Sequence, residues 1–219
     1  MSACGGGKKV LSLAAGPSVE IKEFLRRTKD NSVKFLALDH DIDTYRAVNS
    51  SFKDSRLVYA LANAFQIIKG RYHIAIPRLI AGRHCNPRDD FRGMRHFFSR
   101  VKYKIKNLED EQFDMIYALG LYDYIKTFDD NDEKGAVCLT RNLFTLVKPG
   151  GLLVLGNFTH QNPIYCRFIM DYVYEWNLIY RDEKEMLKLS KSIPEKNIES
   201  IEVLKESLAI NNFLVIRKT

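Results

Sequence analysis

Short apolar runs recur along the first two thirds of the chain, and most are followed by a stretch of helical period. Val10–Ala14 predicts a buried strand, and Val19–Thr28 predicts the helix after it. Val33–Leu38 predicts a second strand. Asp43 is the expected N-cap of a short helix over Thr44–Phe52. Arg56–Leu61 and Phe113–Leu119 predict strands three and four. Glu133–Val147 has helical spacing, with Val137, Leu139, Leu143, Phe144 and Val147 apolar, and Lys148-Pro-Gly-Gly151 is expected to stop it before a fifth strand, Leu152–Leu155. Strands alternating with helices imply a mostly parallel sheet covered on both faces.

The last third changes character. Ile164–Leu178 is rich in aromatics and predicts a helix, as does Lys184–Ser190. Ile198–Glu206 and Ala209–Arg217 alternate like two strands around a short turn. The predicted fold is therefore α/β, with a seven-stranded, mostly parallel sheet that closes on an antiparallel hairpin. It forms one domain over residues 1–219, with an insertion at about 65–110. The Phe65–Leu108 connection is long for an α/β link, and a helical insertion over one end of the sheet is expected there.

The glycine turn carries the first chemical signal. Val10–Ala15 stops at Gly16-Pro17-Ser18 and gives way to a helix, the arrangement that builds a nucleotide cradle. The second strand ends in Asp39, whose carboxylate can accept hydrogen bonds from both hydroxyls of a ribose. The two signals lie one βαβ unit apart, which makes the pair far more specific than either alone.

Composition narrows the field. Hydrophobic residues make up 46% and charged residues 28% of 219, as in a globular protein. No apolar stretch approaches the ~20 residues of a membrane span, and the N-terminus has no signal-peptide core, so a cytoplasmic location is expected. Cys4, Cys85, Cys138 and Cys166 are far apart, which argues against a zinc site or a disulfide framework. His73, His84 and His96 lack metal-site spacing, and no metal is expected. The net charge of +7 is concentrated: Lys69–Lys106 holds eleven Lys and Arg against Asp89 and Asp90, or +9, and the rest sums to −2. Phe91–Lys106 reads as a solvated helical face, a dock for an acidic acyl carrier protein, or a nucleic-acid surface.

Taken together, the residues resemble S-adenosylmethionine (SAM)-dependent methyltransferases of the class I, Rossmann-like fold. Ala14-Ala-Gly-Pro-Ser18 is similar to the family's first motif, Leu38-Asp-His-Asp41 to its acidic second motif, and Leu146–Leu155 to the helix-turn-strand of its fifth strand. A narrower likeness lies in Tyr117–Ile125, Gly156–Pro163 and Met170-Asp-Tyr…Glu-Trp-Asn-Leu-Ile-Tyr-Arg181. It resembles the bacterial group of extracellular-factor, 3-hydroxypalmitic acid methyl ester biosynthesis proteins, over roughly residues 8–219. Such proteins usually carry a helical region before the first strand; here about nine residues precede it.

The resemblance implies SAM as cofactor. It would be held by Ala15, Gly16 and Ser18 at the methionine end and by Asp39 at the ribose. His40, Asn63, Ala64 and Phe65 would lie around the adenine, with Leu119 and Gly120 near the sulfonium. Tyr122, Tyr124, Asn157, His160 and Tyr165 are the expected acceptor contacts; His160, Tyr122 and Asp123 are the candidates for catalytic roles. The implied acceptor is the carboxylate of a 3-hydroxy fatty acid or a similar small molecule. The alternatives are an N- or O-methyltransferase acting on another small molecule or on RNA, and a non-catalytic module that binds SAM or a partner.

Overall fold

In a computed structural model, residues 7–78, 102–127 and 135–219 are described. Strands β1 (Lys8–Leu13), β2 (Val33–Asp39), β3 (Leu57–Leu61), β4 (His73–Arg78), β5 (Lys102–Asn107), β6 (Phe113–Ala118), β7 (Val147–Phe158), β8 (Ile198–Lys205) and β9 (Asn211–Lys218) form one sheet. Their order is β5-β4-β3-β2-β1-β6-β7-β9-β8. The five strands from β3 to β7 in that order run parallel, and β9 and β8 close the sheet as an antiparallel pair. These seven are the expected arrangement. Strands β4 and β5 extend it at the other edge, within the Phe65–Leu108 connection; residues 79–101, on which most of the expected helical insertion and its basic piece fall, lie outside the described residues.

Each face of the sheet buries its own apolar cluster, as period-two strands require. Helices α1 (Val19–Arg27) and α2 (Ile42–Ser51) press Ile21, Leu25, Tyr45 and Val48 onto Val10, Ala37, Tyr59 and Tyr117. On the opposite face, α3 (Ala64–Ile68), α4 (Ala136–Thr145) and α6 (Glu183–Lys188) cover Leu11, Leu13, Leu38 and Ile116. The remaining helix, α5 (Ile164–Phe168), follows β7.

Three local expectations are corrected. The N-cap of α2 is Asp41, which accepts from the N–H groups of Asp43 (3.1 Å) and Thr44 (3.0 Å); Asp43 sits in the first turn and pairs with Arg46. Lys148-Pro-Gly-Gly151 lies inside β7, because α4 has already ended at Thr145. The four residues form an irregularity in which the β6 register jumps from Phe113↔Val147 to Met115↔Leu152. Gly151 is required there: a Cβ would stand 2.9 Å from both the Asp114 and the Lys148 carbonyl oxygens. Finally, Ile164–Leu178 is not one helix. Helix α5 passes into a π-helical turn, Ile169–Val173, and the chain reverses at Glu175, whose φ is +50°.

Candidate functional site

The chain leaves β1 toward β2 and β3 and returns on the other side of β1 as β6. The crevice beyond the carboxyl ends of β1 and β6 is therefore the topological switch point, where open α/β sheets bind ligands. Four segments meet at this edge: the turn after β1, Asp39–Asp41 after β2, Asn63–Phe65 after β3, and Leu119–Tyr124 after β6.

The turn after β1 is strained and clamped. Ala14, Gly16 and Ser18 all have left-handed backbones, with φ of 54°, 48° and 51°. For the two non-glycine residues this costs about 1–2 kcal/mol each, which only surrounding contacts can sustain. Ala15 N–H donates to Leu38 O (3.0 Å) and Ser18 N–H to Ala15 O (2.9 Å). Gly16 N–H donates to Asp39 Oδ2 (2.8 Å), and its carbonyl accepts from the Tyr59 hydroxyl (2.6 Å). A Cβ on Gly16 would meet nothing within 4 Å, so its backbone borders open space. Ser18 caps α1 without a side-chain bond, and its buried Oγ has no hydrogen-bond partner. The first N–H groups of α1 lack intrahelical acceptors, as at any helix start.

Asp39 is 7% exposed. Besides Gly16 N–H it accepts from the backbones of His40 (2.7 Å) and Asp41 (3.1 Å), and His40 Nδ1 stands 3.2 Å away on an exposed ring. Asn63 caps α3 through Phe65 N–H (2.9 Å), which leaves its amide nitrogen pointing away from that bond; Ala64 is half-buried and Phe65 is exposed. Leu119 and Gly120 are exposed at the end of β6. Phe65 and Tyr124 share a cleft of about 260 Å³ with Ile68, Lys69, Ile125, Lys126 and Gly135.

Several residues expected at the acceptor are buried in the scaffold instead. Tyr122 is fully buried, its hydroxyl 3.1 Å from Thr140 Oγ1, and burial raises its pKa. Asn157 is buried as well, donating to Phe158 O and Ile179 O (both 2.8 Å). Asp123 is 1% exposed and accepts from Phe158 N–H (2.7 Å); burial pushes its pKa up to about 6. All three surround Arg181, a residue to which the sequence alone assigned no role. Its guanidinium, 1% exposed, donates to Tyr122 O (2.7 Å), Ile125 O (2.6 Å), Asn157 Oδ1 and Thr127 Oγ1 (3.3 Å). These residues tie the turn after β6 to the end of β7, so they have no surface left for a ligand.

His160 stands at the surface beside α6, with Nε2 3.4 Å from Glu185 Oε2 and its ring 6.0 Å from that of Tyr180. Tyr165 is 65% exposed. It belongs to a run, Ile164–Trp176, in which Phe168, Tyr172, Val173 and Tyr174 are also exposed. Among the described residues, no cluster of three His, Cys, Asp or Glu side chains could hold a metal, and no helix is long and apolar enough to cross a membrane.

No protein-family model and no curated protein matches the chain. Solved structures do. An O-methyltransferase family protein from Burkholderia thailandensis superposes with a TM-score of 0.57 at 14% identity, over 97% of this chain and 51% of that one. The N-methyltransferase NodS of Bradyrhizobium japonicum WM9, in complex with S-adenosyl-L-homocysteine, gives 0.52 at 12% identity, over 96% and 78%. Human N-acetylserotonin methyltransferase, in complex with SAM, gives 0.55 at 12% identity, over 99% and 49%. This chain spans about half the length of several such structures. At these identities the likeness establishes the fold: an α/β sheet of the methyltransferase, Rossmann-like kind with antiparallel closing strands.

Proposed function

We propose that this chain is a methyltransferase that binds SAM and methylates a small acceptor with an apolar body. The reading is carried by the hydrogen bond from Gly16 N–H to Asp39 Oδ2, which joins the glycine turn to the carboxylate at the switch point. The residues present fit the cofactor. The buried Ser18 hydroxyl lacks a protein partner, the Gly16 backbone borders open space, and Asp39 is an acceptor-only group suited to a vicinal diol.

Ala15, Gly16, Ser18 and the first N–H groups of α1 would hold the methionine part, where the helix dipole favours its carboxylate. Asp39 would take the ribose; His40, Asn63, Ala64 and Phe65 would border the adenine; Leu119 and Gly120 would face the sulfonium. Bound SAM supplies a methyl group already activated for displacement. The chain's own contribution is therefore positioning and exclusion of water, worth several kcal/mol through proximity alone.

The exposed aromatics Tyr124 and Tyr165 and the apolar run from Ile164 to Trp176 favour an apolar acceptor. A carboxylate acceptor is ionised at neutral pH and needs no proton removed. An amine or hydroxyl acceptor would need a base, and His160, beside Glu185, is the candidate. The family resemblance makes a 3-hydroxy fatty acid, free or on an acidic carrier protein, the first acceptor to try.

Titration calorimetry with S-adenosylhomocysteine tests the cofactor reading. The wild type binds, and Asp39→Ala loses roughly 10-fold or more, the worth of hydrogen bonds to a charged group. A wild-type chain that shows no heat of binding refutes it. Methyl-labelled SAM incubated with 3-hydroxy fatty acids then tests the acceptor; label recovered in an amine or in RNA, and none in ester, moves the assignment elsewhere.

A further inference from the structure

Tyr59 sits in the middle of β3 and is 3% exposed, yet it reaches past β2 to the turn after β1. Its hydroxyl donates to the carbonyl of Gly16 at 2.6 Å. The other half of the same residue, Gly16 N–H, is held by Asp39. The peptide groups on both sides of a left-handed glycine are thus fixed from below by two side chains of neighbouring strands. Within the turn the one backbone hydrogen bond, Ser18 N–H to Ala15 O (2.9 Å), leaves both Gly16 groups to these side chains, while Ala14 and Ser18 are also left-handed and Ser18 makes no side-chain cap. Without Tyr59 and Asp39 the Gly16 peptide groups lose the two contacts that fix their orientation beside the start of α1.

We infer that Tyr59 is a positioning residue for the methionine end of the cofactor, acting through the Gly16 carbonyl. The inference rests on the SAM reading above. The phenol is well suited to the task. Burial raises its pKa, and the nearby carboxylates of Asp39, Asp41 and Glu20 raise it further, so it stays a neutral donor throughout the usable pH range. Its ring is fixed by edge-on packing against Tyr45 at 6.0 Å, so the hydroxyl cannot follow a turn that moves. Tyr45 provides the matched comparison. It is buried in the same cluster, and its hydroxyl also donates to a carbonyl, Pro77 O at 3.0 Å, but it makes no bond to the turn.

The experiment compares Tyr59→Phe and Tyr45→Phe with two ligands. S-adenosylhomocysteine carries the amino-acid end; 5′-methylthioadenosine keeps the adenosine but lacks that end. Both variants lose one buried phenol hydrogen bond, and both should melt a few degrees below the wild type. Tyr59→Phe should weaken S-adenosylhomocysteine roughly 5–10-fold, the worth of one hydrogen bond, and leave methylthioadenosine within about twofold. Tyr45→Phe should preserve the ratio of the two affinities. A Tyr59→Phe chain whose affinities for both ligands fall together, or that keeps the wild-type ratio, overturns the positioning role while the SAM reading stands. A wild type that binds neither ligand overturns both.

Discussion

Replacing Arg181 by methionine tests whether the residues around it hold the edge of the sheet together. The side chain is 1% exposed and serves three oxygens that have no route to water: Tyr122 O, Ile125 O and Asn157 Oδ1. Methionine fills similar space and donates nothing. Each buried acceptor left without a donor costs about 1–3 kcal/mol. The variant recovers the desolvation of a guanidinium, which burial already pushes toward the neutral form. The balance is a loss of roughly 3–5 kcal/mol, the usual cost of removing one member of a buried charged network. For a chain of 219 residues that lowers the melting temperature by roughly 6–20 °C. Circular dichroism melts measure it directly. Arg181→Lys keeps the charge but offers a single compact donor in place of a fork, so it should fall between the two. A methionine variant that melts within about 3 °C of the wild type refutes the reasoning, because acceptors this buried cannot be freed of their donor at so little cost.

Asp123 should make stability depend on pH. Its folded pKa, raised by burial to about 6, lies above the unfolded value near 3.9, so the folded chain binds the proton more tightly. Stability should therefore fall as pH rises from about 4 to above 6, by at most roughly 3 kcal/mol, and Asp123→Asn should flatten that slope in urea titrations. A slope unchanged by the substitution would count against the burial argument. Gly16→Ala should cost about 1 kcal/mol of stability for its left-handed φ, but at least 10-fold in S-adenosylhomocysteine affinity, since the new methyl projects into the open space. Equal affinity in calorimetry would mean the ligand lies elsewhere. Gly151→Ala should lower stability by about 1–3 kcal/mol, because its Cβ meets backbone oxygens, while Gly150→Ala, with open space at φ +75°, should lose less. Denaturant midpoints rank the two.

The parallel centre of the sheet was legible because buried parallel strands are near-continuous apolar runs, as in Val33–Leu38, broken only by Lys34, and Phe113–Ala118, broken only by Asp114. The edge was not. Lys104 and Lys106 alternate along β5 as an edge strand's charges do, and with Pro77 on its partner β4 the segment carries no strand signal, so its basic and aromatic residues suggest a helical face instead. Lys148-Pro-Gly-Gly151 carries every sign of a stop and instead forms a bulge, since the Asp114 carboxylate binds Lys148 from the neighbouring strand. At the candidate site, the glycine turn and Asp39 follow from local order. Polar side chains at a carboxyl edge usually face a ligand, which is why the sequence points to Tyr122, Asp123 and Asn157 as acceptor or catalytic residues. Their true partner, Arg181, lies 24 residues beyond Asn157 and 59 beyond Tyr122, out of reach of any local pattern. Tyr59 gave one faint signal, a hydroxyl in the middle of an apolar strand that needs an acceptor somewhere.

The central position of β1 also bears on how the chain is made. Val10 pairs with Met115, so β1 leaves the ribosome about a hundred residues before its second neighbour exists. At ordinary synthesis rates that delay is roughly 5–20 s. During it, β1, β2 and β3 can align, but β1 keeps a bare apolar flank of the kind that draws chaperones or other nascent chains. The left-handed turn after β1 has its clamps by then, because Leu38, Asp39 and Tyr59 belong to β2 and β3. On the SAM reading, β6 brings only the last part of the site, Leu119 and Gly120, so a ligand added during translation should protect nascent chains from protease fully only once that strand has cleared the exit tunnel.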